Sequence, residues 1–159
     1  MRVNGLDAGD HLILARLRVP GLLPSCPQEG RLTQEVRFDA YTTLTHAWIS
    51  SAEGTRVALC WKALAPLPAD YTVFVHALDG TGALIGTGDG PPMQGAFPTS
   101  LWRPGDVILD IHYLIIEESA ALQRITVGLY NPVDGSRLAA SSGGSPVPDA
   151  EVTVWPLYP

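Results

Sequence analysis

The amino-acid sequence predicts an all-β fold: a two-sheet β-sandwich, immunoglobulin-like or jelly-roll in order, built from about eight or nine strands. Three observations predict it. Apolar residues alternate along short segments instead of recurring at helical spacing. Turn signals made of Pro, Gly and Asp separate those segments roughly once per dozen residues. The 16 Gly and 14 Pro are spread along the chain and not clustered, as many turns between short elements require.

Taken in order, "HLILARLRV" places Ile13, Ala15, Leu17 and Val19 on one face, with Arg16 and Arg18 on the other. "LTQEVRFDAYTTLTHAWIS" is β-prone, with no register that the pattern defines. "TRVALCWKA" turns Val57, Leu59 and Trp61 inward and Arg56 and Lys62 outward. "YTVFVHALD" is apolar on both faces, the pattern of a central strand covered on both sides. "DVILDIHYLII" places Val107, Leu109, Ile111, Tyr113 and Ile115 on one face. "RITVGLY" groups Ile125, Val127 and Leu129, and "EVTVW" supplies a last short strand. "EESAALQR" is the helical candidate, too short to hold as an isolated helix.

A chain of 159 residues suits one domain, residues 1–159, with a proper core. At 46% hydrophobic and 16% charged it is not a disordered chain. A net charge of −6 argues against a nucleic-acid partner, whose phosphates need clustered Lys and Arg. No stretch approaches the roughly 20 apolar residues that cross a bilayer, because "HLILARLRVPGLL" is broken by Arg16, Arg18 and Pro20. "MRVNGLDAGD" is polar and has no secretory signal pattern. Taken alone the chain is expected to be soluble, any exporting segment belonging to a larger parent. Cys26 lies in a Pro-rich loop and Cys60 in a strand. Either they are bridged, as an oxidising compartment permits, or both are unpaired and one is packed as a small apolar side chain.

Few residues carry a chemical signature. There is no G-x-S-x-G elbow, and nothing beside Cys26 in sequence would activate its thiol, so no catalytic residue is expected. His11, His46, His76 and His112 lack metal-ligand spacing, so neither metal nor cofactor is expected. Asp110 and His112 share one face of a strand, while His76 shares a face with Phe74 and Leu78. If the two strands are neighbours, these three residues converge on one site. The simpler expectation is a mostly buried histidine bonded to a carboxylate, holding two strands in register. Asp70, Asp79, Asp89 and Asp134 fall in turns, where Asp is expected for turn chemistry alone. Trp61 alternates with Leu59 and Val57 and belongs to the core. Trp102, beside Arg103 in "FPTSLWRPGD", either stacks on a sugar ring while Arg103 bonds its hydroxyls, or plugs the end of the sandwich.

The segment "VALCWKALAPLPADYTVFVHALDGTGALIGTGDGPPMQGAFPTSLWRPGDVILDIHYL", followed by "VGLYNPVDGSRL", carries a set of short motifs. They fall at Trp61–Ala63, Asp70–His76, Asp89–Pro92, Pro98–Gly105, Asp110–His112 and Val127–Gly135. Together they resemble the soluble β-domain at the end of certain multi-pass bacterial membrane glycosyltransferases. These are of the protein-mannosyltransferase-like group, in the form common among green non-sulfur bacteria. The resemblance covers about half the chain. It implies a non-enzymatic accessory module on the outer side of the membrane, since the sugar-transferring chemistry of such proteins lies in their membrane portion. This chain begins at Met1 without membrane spans, so it is either an excised piece or a stand-alone relative. The expected ligand is carbohydrate, met by Trp102, Arg103, Asp89 and the His76, Asp110 and His112 group. The alternative is a structural module that packs on a membrane-embedded parent or on a second copy. A small metal-dependent enzyme is a third reading, and it requires the histidines and Asp110 to converge.

Overall fold

A computed structural model describes residues 25–52, 54–117 and 121–156, together with the backbone pairing of β1 (Arg2–Val3) with β2 (Leu6–Asp7). The strand expected over "HLILARLRV" lies outside the described residues, as does part of "EESAALQR". The fold is all-β, as the alternation implies. The elements are β3 (Arg31–Phe38), β4 (Thr42–Ser50), β5 (Thr55–Ala63), β6 (Thr72–Leu78), β7 (Leu84–Thr87), β8 (Val107–Ile116), β9 (Arg124–Tyr130), β10 (Ala140–Ser142), β11 (Ser145–Pro146) and β12 (Val152–Trp155). Thr99–Leu101 forms a single tight helical turn, while Pro92–Gly95 and Pro148–Ala150 turn through left-handed backbone.

β3 to β12 make one antiparallel sheet in the order β11-β10-β3-β4-β5-β8-β7-β6-β9-β12. Two of its strands, β10 and β11, span only three and two residues. The other eight are the size of ordinary strands. The sheet divides at β8. From Val107 to Leu114 this strand pairs with β5, and at Ile115 and Ile116 it pairs with Thr87 and Gly86 of β7. Hydrogen bonding therefore runs through a narrow seam from one half of the sheet to the other. The two halves share one core, in which Phe38, Leu59 and Trp61 of the first join Val73, Val75 and Val127 of the second.

Local sequence explains the layering. β5 turns Val57, Leu59 and Trp61 into the core, and β6 is buried on both faces. Trp61 is the centre of an aromatic cluster, with Phe38 edge-on at 5.4 Å and Trp102 tilted at 6.4 Å between ring centroids. Burying side chains of this size contributes about 1.5–3 kcal/mol each. β8 is different. Its inward residues are Ile108, Asp110, His112 and Leu114, while Val107, Tyr113 and Ile115 are exposed. The more apolar face of this strand is thus the outer one.

Cys26 and Cys60 are bridged, with Cα atoms 6.1 Å apart. Of the two states open to these cysteines, the structure adopts the one that staples the Pro-rich loop to the outer face of β5. The aspartates of the turns act as turn chemistry requires. Asp79 accepts from the Thr81 and Ala83 amides and the Thr81 hydroxyl. Asp134 accepts from the amide and hydroxyl of Ser136. Asp70 accepts from the amide and hydroxyl of Ser100.

Two substitutions test this framework. Cys26→Ser should lower stability by about 2–4 kcal/mol in chemical denaturation, and non-reducing peptide mapping of the native protein should return a linked Cys26–Cys60 pair. At the seam, a Cβ on Gly86 would lie 2.4 Å from the Ile115 carbonyl oxygen. Gly86→Ala should therefore cost about 1–3 kcal/mol through forced backbone displacement, measured the same way.

Candidate functional site: a groove beside the Asp89–Pro92 turn

The site is built on a buried carboxylate. Asp110 is fully buried and accepts three hydrogen bonds: from Trp61 Nε1 at 3.2 Å, His112 Nε2 at 2.7 Å and the Met93 amide at 2.9 Å. The other ring nitrogen of His112, Nδ1, lies 2.9 Å from the Gly88 carbonyl oxygen. A carbonyl can only accept, so Nδ1 carries a proton, and with Asp110 ionised Nε2 donates as well and the ring is an imidazolium. Burial works against that charge. The hydrogen bond and charge of Asp110, helped by the Gly88 carbonyl and the charge of Asp89, outweigh it, and the His112 pKa is raised above its ordinary value.

The same carboxylate holds the loop that follows β7. Met93 and Gln94 both take left-handed backbone conformations, with φ of 51° and 56°. Such conformations cost free energy in residues other than glycine, and the Met93–Asp110 bond offsets that cost. Before this loop the chain runs along β6, with Gly88 bonded to Val75, and Gly90 and Val73 bonded to each other. It also passes close to β8, where a Cβ on Gly88 would stand 2.8 Å from the Tyr113 carbonyl oxygen.

Where this stretch stands beside the outer face of β8, it leaves a groove of about 520 Å³. Thr87 to Pro91, Gln94 and His112 line it together with the apolar residues Ile111, Tyr113 and Ile115. Tyr113 is 52% exposed and Ile115 83% exposed. Asp89 is fixed at the rim, its Oδ1 accepting the Val75 amide at 3.0 Å with His76 Nε2 at 3.6 Å. His76 also approaches Glu151 at 3.9 Å, and Glu151 pairs with Arg137 at 3.3 Å. The Arg137 guanidinium in turn covers the Phe74 ring at 4.4 Å.

The residues singled out from sequence are divided by this arrangement. Asp89 and His112 line the groove and Asp110 lies beneath it. His76 touches the rim through Asp89 but does not join Asp110 and His112. Convergence required β6 and β8 to be neighbours, and the β6–β7 hairpin instead places β7 between them. Trp102 is fully buried, its Nε1 donating to the Phe97 carbonyl at 3.0 Å. It plugs the end of the core and offers no ring face to a ligand. Arg103 is exposed nearby and does not line the groove. Gln94, Ile111, Tyr113 and Ile115 were not singled out as binding residues. For the last three, the signal was the outward apolar set of β8.

Among the described residues, no three of His, Cys, Asp and Glu are grouped to hold a metal ion, and no helix is long and apolar enough to cross a membrane. No protein-family model, curated protein or solved structure matches the chain.

The ion pair makes a pH-dependent contribution of defined sign. A raised folded-state pKa means that the His112 contribution is complete below about pH 6.5, the unfolded value, and is lost as pH rises through the folded one. His46, whose pKa is lowered by burial and by Arg31, contributes in the opposite sense. The difference between the wild type and His112→Asn cancels that effect. This stability difference should shrink with rising pH in denaturation curves. Asp110→Ala, which strands a buried charge, should cost about 3–5 kcal/mol at neutral pH.

Proposed function

We propose that this protein is a non-catalytic, extracytoplasmic β-sandwich accessory domain that binds carbohydrate in the groove beside the Asp89–Pro92 turn. The observation that carries the reading is the half-exposed Tyr113 ring standing beside Asp89 and Gln94 in one concave site. A sugar presents an apolar C–H face and a rim of hydroxyls. An exposed aromatic ring suits the first, and a carboxylate with a carboxamide suits the second. Both polar groups are on backbone that is already fixed, Asp89 by the Val75 amide and the Gln94 loop through the Met93–Asp110 bond. Preorganisation of this kind lowers the ordering cost of binding. The Cys26–Cys60 bridge supports placement in an oxidising compartment. This agrees with the outer membrane face implied by the likeness to glycosyltransferase appendages.

A second reading rests on a different observation. Val107, Tyr113 and Ile115 all project from the outer face of β8, and Leu84 of β7 is exposed near the seam. An apolar surface of this kind suits a module that packs on a membrane-embedded parent or on another copy of itself.

Titration calorimetry with a panel of mono- and oligosaccharides separates the two. Carbohydrate binding predicts a saturable isotherm for at least one ligand. Tyr113→Ala and Gln94→Ala should each weaken it by about tenfold, or about 1.4 kcal/mol, with unchanged thermal midpoints. A silent panel, together with concentration-dependent sedimentation that Ile115→Lys abolishes, would favour the assembly module instead.

A further inference from the structure

The outer face of β5 joins two hollows that the sheet register places side by side. Across β4, β5 and β8 the pairing sets Ser50, Arg56 and Tyr113 in one row and Trp48, Ala58 and Ile111 in the next. The core takes Val57, Leu59 and Trp61 of β5, so Arg56 and Ala58 turn outward with both rows. A small hollow of about 100 Å³ lies here, lined by Trp48, Ser50, Arg56, Ala58 and Ile111. Ile111 also lines the larger groove at Tyr113, so the two concavities adjoin. Trp48 and Arg56 are both partly exposed. Arg56 Nε donates to Ser50 Oγ at 3.3 Å, which ties the guanidinium to β4. Among the described residues, no carboxylate pairs with it.

We propose that the ligand of the Tyr113 groove is an acidic oligosaccharide that crosses the sheet from Tyr113 to Trp48, with a sugar carboxylate on Arg56. The inference rests on the carbohydrate reading of the groove and extends it from one sugar ring to a chain. β8 and β4 lie on either side of β5, two strand spacings or about 10 Å apart. One pyranose ring therefore does not touch both Tyr113 and Trp48, whereas a chain of several rings does. Between the two aromatic side chains stands Ala58, whose small side chain leaves the path low. Charge gives the chain a direction. Asp89 in the Tyr113 groove repels an anion and accepts from neutral hydroxyls. Arg56, between the two aromatic residues, matches a carboxylate with paired N–H donors. The next row, His46, Cys60 and Leu109, is where the Cys26 loop is stapled to β5, and it bounds the path on that side.

An array of neutral and uronate-bearing glycans, from one ring to several, is the probe for the intact protein. The proposal expects saturable binding confined to uronate-bearing chains of several rings. Reducing the sugar carboxyl to an alcohol should weaken the bound glycan at least about tenfold. Arg56→Gln should lose the same factor for the acidic glycan and nothing for the reduced one, with an unchanged thermal midpoint. In the wild type, the Trp48 indole resonance should shift on saturation, a readout that does not depend on any variant folding. Binding of short neutral glycans with the Trp48 resonance unmoved overturns this inference and leaves the single-ring reading standing. Silence across the array from folded protein overturns both. Equal affinity of wild type and Arg56→Gln for the acidic glycan, or self-association that shifts the Trp48 resonance without glycan, also overturns it.

Discussion

The carboxylate of Asp110 is the constraint on which this fold turns. It is fully buried at the junction of three elements, and its hydrogen bonds reach the Trp61 indole of β5, the Met93 amide of the loop after β7 and the His112 ring of its own strand. Through His112 the network continues to the Gly88 carbonyl. Without these partners an ionised carboxylate in the core would be strongly unfavourable. With them, the charge is matched by an imidazolium and both oxygens are occupied. A well-packed apolar cluster of the same volume could be equally stable. The ionic arrangement adds direction, because each bond specifies where one neighbour must lie.

That direction shapes the surface. The sheet passes from one half to the other through two β7–β8 residue pairs, and beyond Thr87 backbone bonds tie the chain to Val75 and Val73 of β6. Gly88, held by His112 and Val75, and Met93, held by Asp110, determine where the next segment stands relative to β8. The groove is the space left between them. Its rigidity therefore derives from a group that a ligand in it does not need to touch. In the proposed carbohydrate site, Asp110 and His112 are positioning residues, and Asp89, Gln94 and Tyr113 present the binding surface.

Much of this was legible in the chain. Alternation located β5, β6, β8, β9 and β12, and the Pro, Gly and Asp clusters located the turns between them. The simpler expectation for the Asp110–His112 pair, a buried histidine bonded to a carboxylate, describes its geometry. β8 shows the limit. Its pattern offers a strongly apolar face and a mixed face, and hydrophobicity alone would bury the first. The ion pair reverses the orientation because Asp110 and His112 find complete partnership only inside, with Trp61, Met93 and Gly88. Those partners are remote in sequence, so no local pattern reveals them.

What the sequence by itself determined was fold class, strand placement and turn chemistry, since each depends on residues within a few positions of one another. Only the tertiary structure decided which face of β8 is buried and that β7 separates His76 from Asp110. It also decided that Trp102 is a plug and that Tyr113 meets Asp89 across a groove. Strand order and side-chain partnership are set by packing between distant segments. The alternation of one strand is the same whichever neighbour it pairs with, so that information appears only once the chain has folded on itself.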